Sequence, residues 1–230
     1  MPLGQTPYIF RGGQEDLKRL FYSDPDKAFA RAITIPAGYG VIKAGAIMGI
    51  ITESTSRVGE HVPYTGLDAV GNVAAGISYL FGAAFLTADP STGTTGYVTM
   101  EDSYKFAVGD HLVAGDSDLG SNNTDLGAIT AIDRTTYTHI AGITVTNSFG
   151  TETMAKGAVI TIQSATSSPY VCATGVLKAA VDTGVGENAK GGQGVLVIKN
   201  AMLYSDNLYN YNADVATDLS GTASTPYLII

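Results

Sequence analysis

Val41-Ile42-Lys43-Ala44-Gly45-Ala46-Ile47-Met48-Gly49-Ile50-Ile51-Thr52 is a dense apolar run broken by two glycines. Turn formers bound it, with Pro36, Gly38 and Gly40 before and Ser54 and Ser56 after. A short apolar run closed off in this way reads as two buried strand pieces with a tight bend between them, a core hairpin. Gly45 supplies the backbone freedom of the bend. Gly49 lets another backbone approach closely inside the second piece.

The β pattern extends outward from this run. Ile33-Thr34-Ile35 precedes it, and Glu60-His61-Val62-Pro63-Tyr64-Thr65 follows. Val73 to Ile77 and Leu80 to Leu86 are small-residue apolar segments whose length and branching fit either a buried strand or a packed helix. Ala88 to Gly96 has linker composition. Short strands then follow one another: Tyr97 to Met100, Phe106 to Val113 with a Gly109-Asp110 turn, Gly127 to Ile132, Ile143 to Thr146 and Ala158 to Gln163. In Ile143-Thr144-Val145-Thr146 apolar and polar residues alternate, as in a half-buried strand. Such a series fits a small β-barrel. Ser164 to Pro169 is a second linker. After it come Tyr170 to Leu177, Ala179 to Thr183, a glycine-rich loop and Gly194 to Lys199, the strongest strand signal in the chain. The C-terminal part is polar and rich in tyrosine, and ends in the apolar Pro226 to Ile230.

Two linkers around a self-contained β unit indicate an insertion into a host domain. The expected organisation is an arm over 1–32, a host β domain over 33–89 and 169–230, and an inserted barrel over 90–168. The fold class expected is mainly β. In the arm, Leu17, Leu20 and Phe21 fall at i, i+3, i+4, with Glu15 and Asp16 near the start of a short helical turn. Asp24-Pro25 can begin another turn. Tyr8-Ile9-Phe10 lies among Pro and Gly, a poor setting for a core position, so these side chains need a partner. Two readings of the arm stay open: a helical cap on its own domain, or a segment that docks on a neighbouring subunit.

The 230 residues are 45% hydrophobic and 15% charged, the balance of a globular chain with ample core. A formal charge of −8 argues against nucleic acid, which needs a basic face. The single cysteine, Cys172, excludes an intrachain disulfide and reads as a small core residue, in keeping with a reducing compartment. The start lacks a basic segment followed by an apolar block, so no secretory signal is expected, and no stretch reaches the roughly 20 apolar residues of a membrane span.

Templates for catalysis fail, and no enzyme is expected. His61, His111 and His139 have no close second ligand, so no metal is called for. Gly76-Ile77-Ser78-Tyr79 lacks the second glycine of a nucleophile elbow. Gly184-Val185-Gly186 opens no helical pattern and reads as a β–β loop, not a dinucleotide loop. Asp116, Asp118, Asn122, Asn123 and Asp125 offer oxygen ligands, but their spacing departs from the EF-hand, and a solvated polar loop is the reading taken. No cofactor is called for. A chain with much surface to pair and no visible reaction centre points to assembly.

Val41 to Thr52, followed by Gly59-Glu60-His61-Val62-Pro63-Tyr64, resembles the early stretch of the head-decoration (cement) proteins of tailed bacteriophages, the lambda type. Ala173-Thr174-Gly175-Val176-Leu177, then Val181-Asp182-Thr183 and Gly194 to Leu203, resembles that family's later stretch, in the same order. The block from about 90 to 168 is a departure from the simple family. The resemblance implies a small mixed-β decoration domain, split here by the insertion. It implies a structural virion protein, assembled in the host cytoplasm, that sits as a homotrimer on the outer surface of the head. Its partners would be the major capsid protein and itself, with neither nucleic acid nor membrane. The capsid contacts it implies fall on the arm: Tyr8, Ile9, Phe10, Leu17, Leu20 and Phe21. The other reading is a tail or fibre component whose β module binds a receptor or glycan.

Overall fold

A computed structural model describes residues 20–22, 28–65, 81–90, 93–115, 124–149, 154–163, 170–221 and 228–229. The fold is mainly β. Its strands, in chain order, are β1 (Phe29–Ile35), β2 (Val41–Ile42), β3 (Ile47–Ile51), β4 (His61–Pro63), β5 (Ala83–Phe85), β6 (Thr95–Thr99), β7 (His111–Gly115) and β8 (Thr124–Asp133). They continue as β9 (Ile140–Val145), β10 (Val159–Ile162), β11 (Val171–Leu177), β12 (Val181–Asp182), β13 (Gly192–Lys199), β14 (Met202–Leu203) and β15 (Leu228–Ile229).

Five strands form one antiparallel sheet in the order β1-β13-β11-β3-β4. Six form a second, in the order β5-β10-β7-β8-β9-β6. β2 pairs with β12, and β14 with β15. In the six-stranded sheet the edge strands approach each other where Thr87 N–H donates to the Tyr97 carbonyl at 2.8 Å.

The run from Val41 to Thr52 does split into two strands, β2 and β3, around a bend at Gly45. Gly45 has φ +87°, and a side chain there would collide with the Asn207 carbonyl oxygen. A methyl group at Gly49 would collide with Val171 Cγ1, so this glycine admits β11. The expected hairpin does not form, however. β2 pairs with Val181–Asp182, and β3 lies between β11 and β4. The partners are distant in sequence because the connection over 43–46, bent at Gly45, redirects the chain rather than folding it back on itself. The stretches around Val41–Thr52 and Ala173–Leu177 therefore meet as neighbours, with Ile47 opposite Val176 and Ile51 opposite Val171.

Other expectations shift at their edges. β1 begins at Phe29, inside the segment assigned to the arm. Of the two small-residue segments, Val73 to Ile77 lies outside the described residues, and in the second Ala83–Phe85 forms strand β5, which pairs with β10 in the six-stranded sheet, ahead of the expected boundary at 90. The C-terminal part contains a helix, Ala213–Gly221, where only a polar segment was expected. Asn212 Oδ1 accepts from Val215 N–H as its N-cap, and Val215 and Leu219, four apart, turn one face into the core. Asp218 on this helix accepts from Ala173 N–H at the β11 bulge.

Buried side chains from both sheets form one continuous core, including Ile35, Ile47, Met48 and Val176 from the first sheet and Leu112, Ile129, Ile143 and Ile160 from the second. The two sheets meet at loops and strand ends, where Gly38 packs on the Tyr104 backbone and the Thr65 and Thr161 hydroxyls stand 2.7 Å apart, so the six-stranded unit is attached by more than its two linkers.

Candidate functional site

The arm residues expected to meet a partner divide in two. Tyr8, Ile9, Phe10 and Leu17 lie outside the described residues. Leu20 and Phe21 are 2% and 5% exposed, and they belong to this chain's own core. Phe21 bridges to Leu203, Tyr22 N–H donates to the Met202 carbonyl, and the Leu20 side chain lies beside Gly45. The capsid-contact assignment of Leu20 and Phe21 is therefore corrected. Both side chains are apolar and need cover, as their spacing indicates, but the cover comes from within this chain.

Two places gather polar chemistry among the described residues. The first is the joint between the sheets. Arg57 is buried, and its guanidinium reaches four partners. Nη1 donates to Asp110 Oδ2 at 2.8 Å and to the Lys105 carbonyl at 3.0 Å, Nη2 to the Tyr39 hydroxyl at 2.8 Å, and Nε to Glu60 Oε2 at 2.8 Å. Asp110 is 0% exposed, and it also accepts from the Ser54 hydroxyl and Ala107 N–H. Tyr39 O–H donates to the Lys105 carbonyl. Gly38 packs on the Tyr104 backbone and Gly109 on Thr55, positions with φ above +90° that exclude a side chain. Burial works against the Arg57 charge, but Tyr39, Asp110 and Glu60 outweigh it and hold the guanidinium above its ordinary value. Burial raises the Tyr39 phenol, with Arg57 pulling the other way. The guanidinium, the Asp110 carboxylate and the Tyr39 hydroxyl are all engaged, which makes the cluster a fastener between the two sheets.

The second place is a cleft of about 430 Å³ lined by Arg31, Ala32, Ile33, Thr34, Pro36, Gly59, Glu60 and His61. It lies between β1 and β4, the two edges of the five-stranded sheet. Their Cα atoms approach within 8 Å. Arg31 Nη2 stands 2.6 Å from His61 Nε2 across the gap, an arrangement in which the neutral ring accepts from the guanidinium. Burial first, then the Arg31 charge, hold His61 below the usual histidine value.

The remaining sequence candidates do not converge. The His111 ring stacks on Tyr170 with centroids 3.8 Å apart, and the His139 carbonyl accepts from Met100 N–H. Gly184 and Gly186 shape the turn between β12 and β13, with φ of +70° and +67°. Positions 116–123 of the acidic loop lie outside the described residues, and Asp125 Oδ1 accepts from Gly127 N–H. Among the described residues no three of His, Cys, Asp and Glu gather to hold a metal. Cys172 is half-buried, and burial, then Asp218, push its thiol up. Among the described residues no helix is long and apolar enough to cross a membrane.

The joint could not be read from the sequence, since Arg57 and Asp110 lie far apart and neither belongs to a motif. The cleft could not be read either, because edge status depends on strand order. No family model, curated protein or solved structure matches the chain.

Proposed function

We propose that the chain is a structural decoration subunit of a phage head, binding the outer surface of the expanded shell as a trimer and stabilising it. The observation that carries this reading is the pairing of β3 with β11, which places the two stretches that resemble the decoration family side by side in one sheet. The acidic balance of the chain suits an outward face away from packaged DNA. Repeated copies, each touching several shell subunits, clamp the lattice through multivalency. Of the arm, Tyr8, Ile9, Phe10 and Leu17 remain as shell contacts, and the partner is the major capsid protein.

The test is deletion of residues 1–12 followed by measurement of occupancy on expanded shells. Occupancy should fall; unchanged occupancy would remove the arm from the interface. A tail or fibre role with a glycan-binding module is favoured by one feature, the edge-to-face pair of Tyr97 on β6 and the exposed Tyr137 in the β8–β9 connection, with centroids 5.7 Å apart. Glycan affinity with no shell binding would select that reading.

A further inference from the structure

The cleft between β1 and β4 has a geometry that the sheet order explains. Each successive pairing across β1-β13-β11-β3-β4 is antiparallel. Strand direction alternates, so the first and fifth strands point the same way. Direct closure would make a parallel pair between strands that lie close but carry no ladder. One further strand, antiparallel to both edges, completes an alternating six-stranded sheet.

The backbone groups for that strand are in place. Val195 C=O accepts from Lys178 N–H on the β11 side, so its neighbours Gly194 and Leu196 face β1 and pair with Ile33 and Arg31. Ala32 and Thr34 consequently turn their N–H and C=O groups to the cleft. On the opposite wall Ile51 N–H donates to the Glu60 carbonyl, and Tyr64 N–H donates to the Ile47 carbonyl. Residues 60, 62 and 64 therefore face β3, and His61 turns its N–H and C=O to the cleft. Two exposed strand edges facing one another are a template for strand addition. A strand needs about 4.8 Å on each side, more than edges whose Cα atoms approach within 8 Å allow, so β1 and β4 must move apart and the Arg31–His61 contact must open to admit it.

Charge selects the occupant. Glu60 is engaged by Arg57, which leaves the exposed Arg31 as the cation at the mouth. This chain's own apolar arm run, Tyr8-Ile9-Phe10, is followed by Arg11 and brings no carboxylate. We infer that the β1–β4 cleft accepts an extended strand of the shell protein, antiparallel to both edges, with an acidic side chain against Arg31. This rests on the decoration reading and adds where the shell protein's own backbone is received.

Hydrogen exchange of the full chain, free and bound to expanded shells assembled from the major capsid protein encoded with it, tests this. Amides of Ala32, Thr34 and His61 should slow by roughly tenfold or more on binding. Thr34→Pro, which removes a cleft donor without touching the β13 ladder, and Arg31→Glu should each weaken shell binding by roughly tenfold, with circular dichroism confirming the fold. Binding with these amides unprotected overturns the cleft proposal and leaves the decoration reading standing. Absence of binding overturns the decoration reading, and the cleft proposal falls with it. Protection already present in the free chain and lost on deleting residues 1–12 overturns it in favour of the arm of this same protein as the occupant.

Discussion

Arg57 donates from all three guanidinium nitrogens, and two of its partners, Asp110 and the Lys105 carbonyl, belong to the segment leading into β7. Removing the cation leaves Asp110 buried without its counter-charge. Arg57→Ala should therefore destabilise by about 3–5 kcal/mol, read from urea denaturation, and Arg57→Lys should recover only part because a lysine cannot reproduce the fork. Gly49→Ala forces a methyl group against Val171 in a packed sheet and should cost about 1–3 kcal/mol. His61 adds a pH dependence. Its folded value is depressed, so the unfolded chain takes up the proton first as pH falls. The stability held by the neutral ring is present above about pH 6.5 and is lost as pH falls toward the folded value. Stability measured from about pH 7.5 down to about pH 5 should decline, and His61→Gln should make the decline shallower. An equal slope in the variant would show that His61 takes no part.

At the scale of elements, strands were legible and their partners were not. The apolar run at Val41–Ile51 and the alternation at Ile143–Thr146 carry strand formation in their own residues, and Gly45 marks the bend because only a residue free to adopt φ +87° fits there. Pairing is decided elsewhere, by which other apolar faces remain to be covered. That is why β2 finds Val181–Asp182 and not β3. The helix Ala213–Gly221 was hidden among tyrosines and aspartates, although Asn212 with Val215 and Leu219 gave a cap and an apolar stripe. At the arm, the spacing of Leu17, Leu20 and Phe21 showed that a face is apolar without showing what buries it. Leu20→Ala should cost about 2–5 kcal/mol of stability in the isolated protein, as expected of a core side chain. Ile9→Ala should leave stability within about 0.5 kcal/mol and act only on shell occupancy.

For the whole molecule, the continuous core and the Arg57 joint predict that the two sheets unfold together. Near- and far-ultraviolet signals should share one denaturation midpoint, and Arg57→Ala should separate them. On the decoration reading the molecule is held by a shell. Co-sedimentation of the purified chain with expanded and unexpanded shells measures it directly. Saturable occupancy of the expanded shells, in multiples of three copies per binding site, and little on the unexpanded ones is the predicted result. Failure to bind expanded shells at any concentration would contradict it.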